Sequence, residues 1–212
     1  MKIIGISDIH GDIRQVEKIV KELSGADLVL VAGDITHFGT ASDAEEIISL
    51  ILSANSCVAA VSGNCDNSEV EQYLEEKGIS AHRKTIEVSG LKISGFGGSL
   101  TTPVTTPNTL PENDFYEYFS KLETRPDILL VHQPPFGTIA DKVMGFRHVG
   151  SKSIKNFIEI MQPGLCFCGH IHESSGAGYS GSTLVVNPGP LKNGFYSMIL
   201  KNNDNTFTAE HR

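Results

Sequence analysis

The sequence predicts an α/β fold, a β-sandwich core with helices on both faces. Two observations carry that expectation. The first half of the 212 residues alternates strand-length apolar runs with helix-period segments, the βαβ pattern of a largely parallel sheet. The second half consists mostly of short strands, and no linker or repeat separates the halves, so a single domain, 1–212, is expected.

Residues 2–7 (KIIGIS) form the first strand, after which Ile13, Val16, Ile19, Val20 and Leu23 recur at helical spacing. LVLVAG (28–33) is the second strand. Ser42 and Glu45 read as a capping box ahead of Ile47, Ile48, Ile51 and Leu52. Residues 57–61 make a third strand, and Ser68 with Glu71 caps a helix running to about 77. TIEVSG and LKISGF (85–96) form a hairpin about Ser89-Gly90, and a Thr/Pro-rich surface loop (99–111) leads to a helix near 113–123. DILLVH (127–132) is a buried strand followed by a Pro/Gly loop (133–149). Ser151 caps a helix carrying Ile154, Phe157, Ile158 and Met161. The tail supplies the strands LCFCG, TLVVN, FYSMIL and TFTAE.

Composition narrows the function classes. A chain 40% hydrophobic and 20% charged is ordinary for a soluble globular protein. No apolar run approaches the roughly 20 residues that span a bilayer, and the start reads as a strand and not as a signal peptide. The formal charge of −8 offers no basic footprint for nucleic acid or anionic membrane. A phosphate substrate stays compatible with it, because bound cations would dominate the local field. Cys57, Cys65, Cys166 and Cys168 sit in or beside strands; Cys166 and Cys168 are expected to point apart, so neither a disulfide framework nor a zinc ribbon is expected. A cytoplasmic location is expected, and self-association is left open.

Several strands end in metal-competent side chains. The first runs into Asp8-Ile9-His10-Gly11-Asp12, the second into Gly33-Asp34 and the third into Gly63-Asn64-Cys65-Asp66. DILLV runs into His132, and LCFC into Gly169-His170-Ile171-His172. Ligands in α/β sheets bind beyond the carboxyl ends of strands, so these tips can converge. Asp8 and His10, like His170 and His172, are two apart and would face one way on an extended chain. Two carboxylates, an amide and four imidazoles suit Mn, Fe, Zn, Co or Ni. Seven side chains are too many for one tetrahedral ion and right for two ions sharing a carboxylate.

The blocks SDIHGD, AGD, GNCD, VH and CGHIH resemble, in order, those of the calcineurin-like metallophosphoesterase family, and NPG (187–189) resembles an element of its small members. The resemblance implies a four-layer αββα sandwich with two mixed sheets. It also implies one metal on Asp8, His10, Asp34 and His172, and a second on Asp34, Asn64, His132 and His170. The implied reaction is in-line attack on phosphorus by a hydroxide bridging the metals, with a small phosphate ester as partner. Asp66 and Asp12 are candidates to orient the imidazoles.

Two departures shape the reading. Cys65 stands where many family members place a His that protonates the leaving group, and a thiol is a poorer acid than imidazolium. Substrates with good leaving groups, another histidine (His37, His82 or His148) in that role, or slow turnover of alkyl esters are the open consequences, and the loop 145–151 could bring Arg147 or His148 over the site; Asp34, Asn64, Cys65 and His148 are the catalytic candidates. His37-Phe38 follows Gly33-Asp34 where protein Ser/Thr phosphatases carry Asp-Arg, which removes a bidentate phosphate clamp. A small phosphodiesterase is therefore the leading expectation. A phosphomonoesterase or nuclease of the same fold, and a scaffold that has lost catalysis, are the alternatives.

Overall fold

The computed structural model describes residues 1–212. In chain order it comprises β1 (Lys2–Ile6), α1 (Ile13–Lys18), α2 (Val20–Ser24), β2 (Leu28–Ala32), α3 (Ala41–Ala54), β3 (Val58–Val61) and α4 (Ser68–Glu76). The second half holds β4 (Thr85–Val88), β5 (Leu91–Phe96), β6 (Ser99–Leu100), β7 (Thr109–Leu110), α5 (Glu112–Phe119) and β8 (Ile128–Val131). It continues through β9 (Lys142–Val143), β10 (Arg147–His148), α6 (Lys152–Met161), β11 (Leu165–Phe167), β12 (Gly176–Ser180), β13 (Thr183–Asn187), β14 (Ser197–Lys201) and β15 (Phe207–His211).

Two mixed sheets result, ordered β15-β14-β1-β2-β3 and β12-β13-β11-β8-β5-β4. In the first, β1, β2 and β3 run parallel while β14 joins β1 antiparallel. In the second, β13, β11, β8 and β5 are parallel, with β12 and β4 as antiparallel edges.

Alternation along the strands sorts side chains into layers. Ile3, Leu28 and Leu30 face Ile128, Leu130, Phe167 and Val186 in the apolar layer between the sheets. Their neighbours Ile4, Val29 and Val31 point outward onto Val16, Leu23, Ile47, Ile51 and Leu74 of α1–α4. On the far side Leu129, Val131 and Val185 pack against Phe115, Phe119, Ile154 and Phe157 of α5 and α6. The expected four-layer sandwich is the observed one. Gly5 makes a specific allowance in it: a Cβ there would run into the Phe167 ring.

Several local expectations need correction. The first helical stretch is broken at Ile19, and nothing in the local sequence accounts for the break. Helix α3 begins at Ala41, so its box is Thr40 with Asp43, whose carboxylate accepts from the Thr40 N–H at 2.7 Å; Ser42 and Glu45 lie inside the helix. Asn67 is the residue before α4, and Glu71 instead accepts from the Ser62 N–H at 2.9 Å. Helix α5 stops at Phe119. Ser151 does cap α6, accepting from the Ile154 N–H at 3.2 Å. Cys166 and Cys168 share one outer cluster, since residues two apart on a strand face the same way; they and the other two cysteines are unpaired. No helix is long and apolar enough to cross a membrane.

Candidate metal centre

The carboxyl ends of β1, β2, β3, β8 and β11 lie together, and the chain leaves each in a bent conformation. Asp8, His10, Asp34 and His170 adopt left-handed backbone angles, with φ of 55°, 48°, 48° and 71°. The spacing argument from an extended chain therefore fails for both D-x-H and H-x-H. Each pair converges because its backbone is turned back, at a cost of order 1 kcal/mol or more per residue. Gly63 and Gly169 serve close approach: a Cβ on Gly63 would strike Asp34, and one on Gly169 would strike Ser7.

The expected residues meet as follows. His172 Nε2 lies 3.1 Å from Asp8 Oδ1 and 3.3 Å from His10 Nε2. His10 Nε2 lies 3.6 Å from Asp34 Oδ2, and His132 Nε2 lies 3.4 Å from Asp34 Oδ1, so the two Asp34 oxygens face different imidazoles. His132 Nε2 is also 3.0 Å from Asn64 Oδ1. The His170 ring stands 5.1 Å from that of His132, and its backbone N–H donates to Asp8 Oδ2 at 3.1 Å. Donor atoms of Asp8, His10 and His172, and of Asp8, Asp34 and His132, form groups tight enough to hold an ion.

Electrostatics tests whether these residues suit cations. Asp8, Asp34 and His132 are all but fully buried. Burial, then the proximity of Asp8, lifts Asp34 to about 6 against the pull of His132. Burial would also raise Asp8, yet its bond from His172 and the nearby imidazoles hold it far below the usual range. Burial opposes charging His132, but Asp34 and Asp8 outweigh it and raise its pKa. Burial lowers His10 to about 4 and His170 to about 3, so both offer lone pairs near neutrality.

His132 Nδ1 sits 2.7 Å from the Ala32 carbonyl, which can only accept; Nδ1 therefore carries a proton and Nε2 points its other side at Asn64 and Asp34. Three acceptors facing one point require a cation or a proton there. The donor set fits a divalent ion.

The supporting contacts differ from expectation. Asp66 orients no imidazole: it accepts from the Gly63, Ile35 and Thr36 N–H groups at 2.8, 3.1 and 2.8 Å, clamping the ends of β2 and β3 together. Asp12 is engaged with Arg14 at 2.9 Å. Cys65 donates its backbone N–H to Asp34 Oδ1 at 2.7 Å; its thiol is buried beside His10 and His37, and burial, then Asp34, push its pKa strongly up. His37 Nδ1 lies 3.4 Å from His10 Nδ1, on the ring side away from Asp8.

His148 Nδ1 is 2.6 Å from the buried Asp141, and its ring lies 5.7 Å from that of Phe136. The hairpin that carries it touches the ligand cluster's edge through the Met144 N–H, which donates to Glu173 at 3.1 Å; Arg147 on it is exposed. His82 accepts from the Gly97 N–H at 2.9 Å through Nδ1.

Sequence reasoning missed Asn108, whose N–H donates to the Asn64 carbonyl at 3.1 Å and whose amide donates to the Gly63 carbonyl at 3.0 Å. It also missed Lys192, whose N–H donates to the Asp8 carbonyl at 3.2 Å. Both act on main-chain carbonyls, which carry no sequence signature; NPG just ahead of Lys192 was the only local signal.

A sequence model of the calcineurin-like phosphoesterase family matches residues 1–174, and the chain belongs to that family. Membership makes it a phosphoester hydrolase by lineage, with divalent metal ions as the implied cofactor. An uncharacterized protein of Methanocaldococcus jannaschii is 40% identical over 196 residues, covering 90% of this chain and 88% of its own. The crystal structure of a Thermus thermophilus protein has a TM-score of 0.71 at 21% identity, covering 99% of this chain and 97% of that one. An archaeal phosphodiesterase has a TM-score of 0.59 at 15% identity, with 100% of each chain covered. At such identities these two structures share the fold.

Proposed function

We propose that the chain, acting as one unit, is a dinuclear-metal phosphodiesterase for small substrates. The observation that carries this reading is Asp34, whose two buried oxygens face His10 on one side and His132 on the other. On this reading Asp8, His10, Asp34 and His172 hold one ion, and Asp34, Asn64, His132 and His170 hold the second. Manganese is the first candidate among Mn, Fe, Zn, Co and Ni. When bound, the ions lower the pKa of a water enough for nucleophilic use at neutral pH and offset charge on the phosphoryl oxygens.

The protein's own groups supply position and protection. The left-handed backbones aim the ligands, Asn108 steadies the Asn64 turn, and the Ala32 carbonyl fixes the tautomer of His132. Cys65 contributes its main-chain N–H to Asp34 and is assigned no proton transfer to the leaving group, since a thiol is a poorer acid than imidazolium. His148 is given no catalytic role, because its one polar side-chain contact is to Asp141 and it makes none to the candidate ligands.

A small diester is favoured over a phosphoprotein because His37-Phe38 replaces the arginine clamp. The charge of −8 disfavours nucleic acid. Four unpaired cysteines fit a reducing, cytoplasmic setting. The scaffold alternative is disfavoured by the filled ligand set.

Purified protein reconstituted with manganese is to be screened on bis-p-nitrophenyl phosphate, p-nitrophenyl phosphate and cyclic nucleotides. Turnover of the diester that chelator abolishes is the expected result. Absence of turnover on every ester would favour the scaffold.

A further inference from the structure

We infer that Lys192 is the phosphate anchor of this site, its ammonium binding a non-bridging phosphoryl oxygen in place of the missing arginine. The inference deepens the phosphoesterase reading and rests on it.

The position of Lys192 is closely fixed for a residue between strands. It lies in the one-turn segment Leu191–Asn193, which follows β13 and precedes β14. Leu191 is fully buried among the residues that α1–α4 cover, and its N–H donates to the Ser7 carbonyl at 2.9 Å. The next N–H, that of Lys192, donates to the Asp8 carbonyl at 3.2 Å, and the Lys192 carbonyl accepts from the Gln15 side chain at 3.2 Å. Gly194 closes the turn in a left-handed conformation, with φ of 91°. The backbone of Lys192 is thus docked against the residue that starts the ligand set, on a turn that cannot slide.

Its side chain is half-buried and has no partner. Other cations near carboxylates are engaged: Arg14 with Asp12, Arg83 with Asp114, Lys84 with Glu75, Lys155 with Glu159 and Arg212 with Glu210. Lys192 makes no ion pair and no side-chain hydrogen bond. Its charge is nonetheless felt in the cluster, since it helps to depress His10 after the larger effect of burial.

The residue's backbone is docked beside Asp8, yet its ammonium pairs with neither of the two buried carboxylates, Asp8 and Asp34. Asp8 faces His172 and the His170 N–H, and Asp34 faces His10, His132 and the Cys65 N–H, which leaves the lysine free for an incoming anion. A compact ammonium on a flexible stem suits a single phosphoryl oxygen, where an arginine would demand a bidentate pose. That fits a diester, which presents two non-bridging oxygens and carries one charge.

The test compares manganese-loaded parent, Lys192→Met and Lys192→Arg proteins by calorimetric titration with inorganic phosphate, normalised to metal content, alongside steady-state kinetics on bis-p-nitrophenyl phosphate. Loss of a charged hydrogen bond predicts that Lys192→Met weakens phosphate about tenfold and raises KM similarly, with kcat changed less than threefold; Lys192→Arg recovers most of the affinity. Phosphate affinity in Lys192→Met equal to the parent's overturns the inference, as does a Lys192→Arg protein no better than Lys192→Met. Should the parent bind phosphate through Lys192 yet turn over no ester, the hydrolase reading fails while the anchor stands. Turnover with phosphate binding indifferent to Lys192 overturns the anchor and leaves the hydrolase reading intact.

Discussion

Four of the seven candidate ligands hold left-handed backbones that a non-glycine residue adopts only under constraint, and at Asp8 and His10 the constraint is visible. The Asp8 N–H donates to the Gly33 carbonyl at 3.0 Å and the His10 N–H to the Asp34 carbonyl at 2.9 Å, so the ends of β1 and β2 hold each other in the strained form. Cys65 belongs to the same frame through its N–H on Asp34, which any residue but proline would supply. Cys65→Ser should therefore leave kcat on nitrophenyl esters within about twofold of the parent, since no proton-transfer step is removed. A loss of more than tenfold, steeper for poor leaving groups, would return the thiol to the mechanism. The candidate ligands were nameable in the sequence because side-chain type and order along the chain single them out. Ligand orientation was not: His132 is set by the carbonyl of Ala32, a hundred residues earlier, and backbone carbonyls have no signature.

At the scale of elements, the strands were readable because burial on both faces leaves near-continuous apolar runs such as LVLVA in β2. Helix starts were less so. Ser, Thr, Asp and Asn cluster ahead of α3 and α4, and several of them satisfy the same cap pattern, so only the three-dimensional start decides among Thr40, Ser42, Asn67 and Ser68. The meeting of β1 and β11 was invisible, as a lone glycine in KIIGI says nothing of the ring that fills its place. Gly5→Ala should lower stability by about 1–3 kcal/mol through overpacking against Phe167, read from the urea midpoint. Adding Phe167→Leu should recover part of that loss, because the two changes share one space. Strict additivity of the two losses would show that they do not meet.

Over the whole molecule, the ligand set binds the metal-free fold to pH. His10 and His170 stay neutral in the folded protein down to about 4 and about 3, whereas in the unfolded chain both charge near 6.5. Asp34 acts in the other direction, taking its proton at about 6 when folded. Between about pH 6 and 4 the unfolded chain holds close to two protons on these imidazoles, where the folded one holds about one, on Asp34. The unfolded state therefore binds more, and stability falls as pH falls. The net difference of one proton corresponds to about 1.4 kcal/mol per pH unit, or about 3–6 °C in Tm for a chain of this size. Thermal melts of chelator-treated protein at pH 6 and pH 5 measure it, and a Tm that rises toward pH 5 would reverse the assigned sign.

The convergence of five strand ends on two buried carboxylates and four imidazoles leads to one central claim, that two ions share Asp34. Anomalous scattering at the manganese edge, from crystals grown with that metal, tests it most directly. The account predicts two peaks in each chain, one among Asp8, His10, Asp34 and His172 and one among Asp34, Asn64, His132 and His170. A single peak, or a second peak away from Asp34, would contradict it.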